Sequence, residues 1–215
     1  MEFQKIKLHR SEKRGSAVTQ ITLDDDYNVP DYRQDIVKVI KEHGELRFDE
    51  VKAMEGAAWI KGSLIFKVLY RSDKQEGKIS CLRGEIPFQE RLNMDGLSEY
   101  DAVHAVGDIE DLTVGVINSR KLNIRAVIVL TASADTEVDE ELTCELSDGS
   151  DYEQNIVEKE ALKLLVVRRD ICRQKSEAVL PSSKPNIREI LWQSMQLRNV
   201  ESRLTEGNIR FSGEI

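Results

Sequence analysis

The chain has 215 residues, 40% of them hydrophobic and 33% charged, and its 31 basic against 39 acidic side chains leave a net charge of −8. This composition provides a packed core, and the acid excess argues against a nucleic-acid partner, because phosphate recognition needs a basic surface. Met1 to Arg14 mixes charged and apolar residues without the apolar run of a signal peptide, and no segment approaches the length of a membrane span.

Taken in chain order, period-two alternation dominates. Strands are expected at Gln4–Leu8 and Ala17–Leu23. Ile36, Val39 and Ile40 then sit at i, i+3 and i+4, which predicts one short helix, capped by Asp31 and stopped by His43-Gly44. A strand follows at Glu45–Met54. In Trp59–Arg71 one face carries Ile60, Gly62, Leu64, Phe66, Val68 and Tyr70, and the other carries Lys61, Ser63, Lys67 and Arg71. Lys78–Phe88 is the next strand, with Pro87 marking an edge or a bulge because it cannot donate to a ladder. Asp95-Gly96 reads as a turn before Val103–Leu112, and Asn118-Ser119 as a turn before Lys121–Ala134. In this last strand Leu122, Ile124, Ala126, Ile128 and Leu130 alternate with Asn123, Arg125, Val127, Val129 and Thr131. One buried and one mixed face is the mark of an antiparallel sheet. The fold class is therefore mainly β: an antiparallel sandwich or barrel-like domain with one short helix.

The chain also repeats itself. Laying Pro181 on Pro30, an offset of 151 residues, aligns Val29–Leu64 with Leu180–Ile215 without a gap, and eight of the 36 pairs are identical. Among them are Pro30/Pro181, Arg47/Arg198, Gly56/Gly207 and Gly62/Gly213. Prolines and glycines fix turns, so matches there speak for a shared backbone. A period this long suits tandem domains rather than a solenoid. Residues 135–160 carry 11 acids against one Lys, whereas 161–215 carry 10 bases against 6 acids. The expected organisation is a first β domain at 1–134, an acidic linker at 135–160, and the truncated start of a second copy at 161–215. Its helix stripe would be Ile187, Ile190 and Leu191, and the sequence would be a piece of something longer.

No constellation of residues supports a reaction, and no catalytic, cofactor-binding or metal residues are assigned. His9, His43 and His104 lack partners at metal-ligand spacing. Asp24-Asp25-Asp26 does not have the spacing of a calcium loop and reads as an acidic turn before the helix. Gly77-Lys78 lacks the upstream glycine of a phosphate loop. Trp59 and Trp192 follow strand and helix patterns, so packing is expected of them rather than sugar stacking. Arg168-Arg169 reads as a solvated strand face. Cys81, Cys144 and Cys172 are odd in number and far apart, which points to reduced thiols in a cytoplasmic compartment.

Several spaced motifs together resemble a known family: Val29-Pro-Asp-Tyr-Arg-Gln-Asp-Ile36, Gly62-Ser-Leu-Ile-Phe-Lys-Val-Leu-Tyr70, Gly84-Glu-Ile-Pro-Phe88, Asp111-Leu-Thr and Asn118-Ser-Arg-Lys-Leu-Asn-Ile-Arg125. They are similar to the SPOCS domain of SipL-type spore morphogenetic proteins, and Leu180-Pro-Ser-Ser-Lys-Pro-Asn-Ile187 is similar to the opening of the same repeat. The resemblance implies tandem β domains followed by a LysM module, on the mother-cell side of the forespore surface. It implies a non-enzymatic scaffold for spore-coat assembly that makes protein–protein contacts, with a coat-scaffold ATPase as partner. The alternative reading is a carbohydrate-binding or cell-envelope-associated β module that supports a glycan-binding LysM domain. Exposed coplanar aromatics would favour the glycan module; a flat apolar or charged face without them would favour the scaffold. No small-molecule ligand is expected.

Overall fold

A computed structural model describes residues 3–73, 78–146, 155, 157–158, 160–167 and 171–215. Eight strands follow one another: β1 (Phe3–Asn28), β2 (Ile36–Met54), β3 (Ala57–Ser72), β4 (Ile79–Asn93), β5 (Ala102–Asn118), β6 (Lys121–Leu146), β7 (Arg198–Thr205) and β8 (Asn208–Glu214). All the pairings are antiparallel, in one sheet ordered β1-β6-β5, a second ordered β2-β3-β4, and the hairpin β7-β8.

The alternating faces of β3 and β6 explain why the two larger sheets come together. Ile60, Leu64, Phe66, Val68 and Tyr70 from β3 share one core with Leu122, Ile124, Ala126, Ile128 and Leu130 from β6, all fully buried. β4 adds Leu82, Ile86, Phe88 and Leu92, and the loop after it adds Met94 and Leu97. Each sheet thus removes one apolar face from water, at roughly 25 cal/mol for each Å² covered. The sheets also meet along their edges, β2 beside β5 and β1 beside β4. At the second seam the Tyr27 ring stands edge-on to Phe66 with centroids 5.0 Å apart, and both rings fill the space that a β-carbon would need at Gly84. Pro87 lies on β4, an edge strand, where its missing N–H costs no ladder bond.

The described residues contain no helix, which corrects the expectation for Ile36–Ile40. That segment opens β2, and its i, i+3 spacing comes from bulges. Register shifts fall between Ile36 and Lys38 and between Val39 and Lys41. An extra residue in a strand turns the inward spacing of two into three, so Ile36 is buried and Val39 half-buried while Ile40 is exposed. The β-branched run Ile-Val-x-Val-Ile also favours a strand. His43-Gly44 continues β2 rather than stopping it.

Residues 135–146, assigned by their charge to a connector, form the far half of β6 and pair with β1, and from Thr136 onward they lie beyond the reach of β5. Their acids meet bases across the ladder: Lys5 with Glu141 at 3.2 Å, Arg10 with Glu140 at 3.2 Å and His9 with Asp139 at 2.7 Å. The sequence Ser147-Asp-Gly-Ser150 lies outside the described residues. Ile187, Ile190 and Leu191, the stripe expected of a second helix, belong to neither helix nor strand.

Two local features recur at a spacing of 151 residues, a turn and a hairpin. Arg33 N–H bonds to Pro30 O at 2.8 Å, and Lys184 N–H to Pro181 O at 2.9 Å. The pairs Arg198–Glu214, Ser202–Phe211 and Thr205–Asn208 repeat Arg47–Ser63, Val51–Ile60 and Met54–Ala57. Gly56 and Gly207 take the same left-handed turn conformation, with φ of 69° and 73°.

At one pole the loop from β4 to β5 is pinned by Asp101, a buried carboxylate that accepts a 2.8 Å bond from Ser98 N–H. This bond, with Thr136 and Arg14 nearby, holds its pKa below the usual value of 3.8. A folded pKa below the unfolded one means stabilisation that is complete above about pH 4 and lost as pH falls through the folded value. Urea titrations from neutral to acid pH should show less acid destabilisation for Asp101→Asn than for the parent. Gly84→Ala should lower stability by about 1–3 kcal/mol through overpacking against Phe66 and Tyr27, read from the urea midpoint.

Candidate interaction surfaces

Two features stand out as candidates for function. The first is the loop Val29–Asp35, where the chain crosses from the first sheet to the second. The turn between β5 and β6 grips it. Arg120 donates from Nη1 to the carbonyl of Arg33 at 2.7 Å and to Asp35 Oδ1 at 3.1 Å. Its Nη2 donates to the carbonyls of Val29 and Pro30, each at 3.0 Å. Val29 N–H bonds to Arg120 O, Ile36 N–H to Ser119 O, and the Ser119 hydroxyl to Asp35. A planar guanidinium with fixed donors suits this task, whereas a single ammonium cannot reach so many acceptors. The clamp presents Tyr32 at its tip, 81% exposed, with the Arg33 guanidinium 5.4 Å from its ring centre. Two of the motifs quoted for the SPOCS resemblance, 29–36 and 118–125, are therefore in direct contact.

The second feature is the outer face of the β1-β6-β5 sheet. In register across it lie Val18, Thr131 and Val106, then Gln20, Val129 and Asp108, then Thr22, Val127 and Asp111. Val18 and Val106 are more than 60% exposed. This flat, β-branched centre borders a polar zone of Asp24, Asp26, Asn123, Arg125 and Lys121. There Asn123 Nδ2 donates to Asp24 at 2.8 Å, and Lys121 lies 2.7 Å from Asp26. Hydrogen bonds from Lys121 and Asn123 keep the Asp26 carboxyl below its usual pKa. Asp24 to Asp26 thus stand on a strand, not in a turn before a helix.

The residues weighed for chemistry are dispersed. His9, His43 and His104 stand on three different strands, β1, β2 and β5, beside the acids Asp139, Glu45 and Asp135. Trp59 is half-buried in β3. Trp192 lies edge-on to His43, with the Lys41 ammonium 4.8 Å from its ring centre. Among the described residues no three His, Cys, Asp or Glu groups gather as metal ligands. Cys81 is half-buried, and burial raises its thiol pKa. Arg168-Arg169 and Gly77 fall outside the described residues. Sequence reasoning missed Arg120; its only signal was its place inside the motif Asn118-Ser-Arg.

The fold defines the class only as an antiparallel β module built on two three-stranded sheets. Residues 35–117 match the family model of the SipL SPOCS domain. The matched segment contains β2, β3, β4 and all but the last residue of β5, and leaves β1, β6 and the β7-β8 hairpin outside it. No curated protein and no solved structure matches the chain.

Arg120→Ala should cost about 3 kcal/mol, because it leaves several loop carbonyls and the Asp35 carboxylate without their donor. Arg120→Lys should recover less than half of that loss in urea unfolding.

Proposed function

We propose that the chain is a non-enzymatic scaffold module that makes protein–protein contacts during spore-coat assembly, on the mother-cell side of the forespore surface. The observation that carries this reading is the outer face of the β1-β6-β5 sheet. It is β-branched at its centre and charged at its margin, and no Phe, Tyr or Trp side chain stands on it among the described residues. A glycan platform stacks sugars on aromatic rings; a protein contact uses a flat apolar centre with a polar rim. The SPOCS match adds the sporulation context. By family resemblance the partner is a coat-scaffold ATPase. The two sheets act as the layers of a sandwich, and residues 180–214, with their repeated turn and hairpin, act as the opening of a second SPOCS unit.

The double variant Val18→Glu/Val106→Glu should leave stability within about 0.5 kcal/mol of the parent, since both side chains are exposed. In a sporulating host, a fluorescent fusion of the parent should ring the forespore and the double variant should stay diffuse. Equal localisation of the two, or sedimentation of the parent with purified peptidoglycan, would exclude this face as the contact surface.

A further inference from the structure

We propose that consecutive units of this protein are joined where residues 189–192 of the second lie on the outer face of the β2-β3-β4 sheet of the first, with Trp192 as the anchor. The inference rests on the reading of residues 180–214 as the opening of a second SPOCS unit. Between residues 171 and 215 only Leu191 and Trp192 are half-buried, and every other residue is exposed. β2 supplies the contacts of Trp192: the Lys41 ammonium lies 4.8 Å from its ring centre, and the His43 ring stands edge-on to it at 6.1 Å. Glu189 reaches the other side of the same sheet. Burial, foremost, raises the thiol pKa of Cys81 on β4, and the charge of Glu189 adds to the rise while Arg33 and Lys67 oppose it.

In register, Lys41, Leu69 and Cys81 form one row across the three strands. The row faces outward, because Val68, Tyr70 and Leu82 beside it face the core. Two strand spacings amount to about 10 Å, and so do the three steps from Glu189 to Trp192 in an extended chain. The segment therefore has the length to cross the row from β4 to β2.

The offset of 151 shows that this contact and the second unit's own core use different sides of the segment. Ile187 and Ile190 take the positions of Ile36, which is buried, and Val39, which is half-buried; here they are 59% and 66% exposed. Glu189, Leu191 and Trp192 take those of Lys38, Ile40 and Lys41, all exposed on the first domain. The contact thus survives when Ile187 and Ile190 close on a core of their own. An aromatic anchor at a position that is otherwise solvent-exposed is the mark of an interface.

Charge fits the same arrangement. Lys41 and Trp192 are counterparts under the offset, so two identical units would set Lys against Lys there. Tryptophan turns that repulsion into a cation–π attraction. Glu189 likewise replaces Lys38, and its charge suits the corner that Arg33 and Lys67 make basic.

The test uses the 215-residue chain with Trp59 changed to Phe, or to Tyr as a second background, which leaves Trp192 as the single tryptophan of two. Acrylamide should quench Trp192 emission less than that of a free peptide of residues 186–198. Lys41→Glu should raise the quenching constant about twofold or more, and Lys41→Arg should keep it low, because a guanidinium also stacks on the indole. Ile190→Asp, on the inward side, should leave it unchanged. A parent quenched as readily as the peptide, or a Lys41→Glu variant no different from the parent, would overturn the proposal. Loss of protection in Ile190→Asp would overturn it as well, by showing that the segment docks with its inward side. None of these outcomes alters forespore localisation, which tests the scaffold reading separately.

Discussion

The fold depends on Arg120 holding the place where the chain changes sheets. β1 and β2 are consecutive in sequence but belong to different layers, so Val29–Asp35 must cross the end of the core with its carbonyls turned away from any ladder. Backbone carbonyls left without donors cost about as much as lost hydrogen bonds. One guanidinium, contributed from 85 residues beyond Asp35, satisfies three of them and neutralises the Asp35 carboxylate. The opposite pole works differently: Asp101 and the backbone bonds joining Gly56 to Met94 and Leu97 hold the second crossover. Between these two fastenings the apolar faces need only be flat and complementary.

That division explains what the sequence made legible. β3 and β6 lie at the centres of their sheets, with a neighbour on each side and one face in the core. Their period-two pattern is unbroken, and their inward residues were readable one by one. β2 is an edge strand with three register shifts, and its pattern imitates a helix because each bulge adds a residue between inward positions. β1 was legible as the strands Gln4–Leu8 and Ala17–Leu23, whereas the far half of β6 was not, because its alternation is one of charge, which composition presents as a linker. Arg120 was invisible because a clamp depends on one side chain meeting acceptors far away in sequence, and no local period encodes it.

The partial repeat separates local from non-local order. The Pro181 turn and the β7-β8 hairpin need only contacts within about twenty residues, and both adopt the form of their counterparts. Ile36–Leu46 instead pairs with Leu64–Ser72. Ile187–Leu197 has the apolar spacing of β2 without a ladder among the described residues. Loop closure must be offset by pairing before a strand of this kind forms.

Edges decide how such a module meets other molecules. In the first domain each outer strand has a neighbour or a guard: β2 lies beside β5, β1 beside β4, and the ribbon beyond the core is laced with ion pairs. Charged side chains along a protruding ribbon keep it from pairing with strangers. β8 has the opposite character, with an apolar row on one face and only two charged side chains, Arg210 and Glu214, along its polar one. The flat valine face of the first sheet differs again, because its peptide groups are already paired within the sheet and only side chains are on offer. Contact at a face of this kind is set by shape and apolar area, whereas contact at a strand edge is set by register, because there the peptide groups themselves must pair.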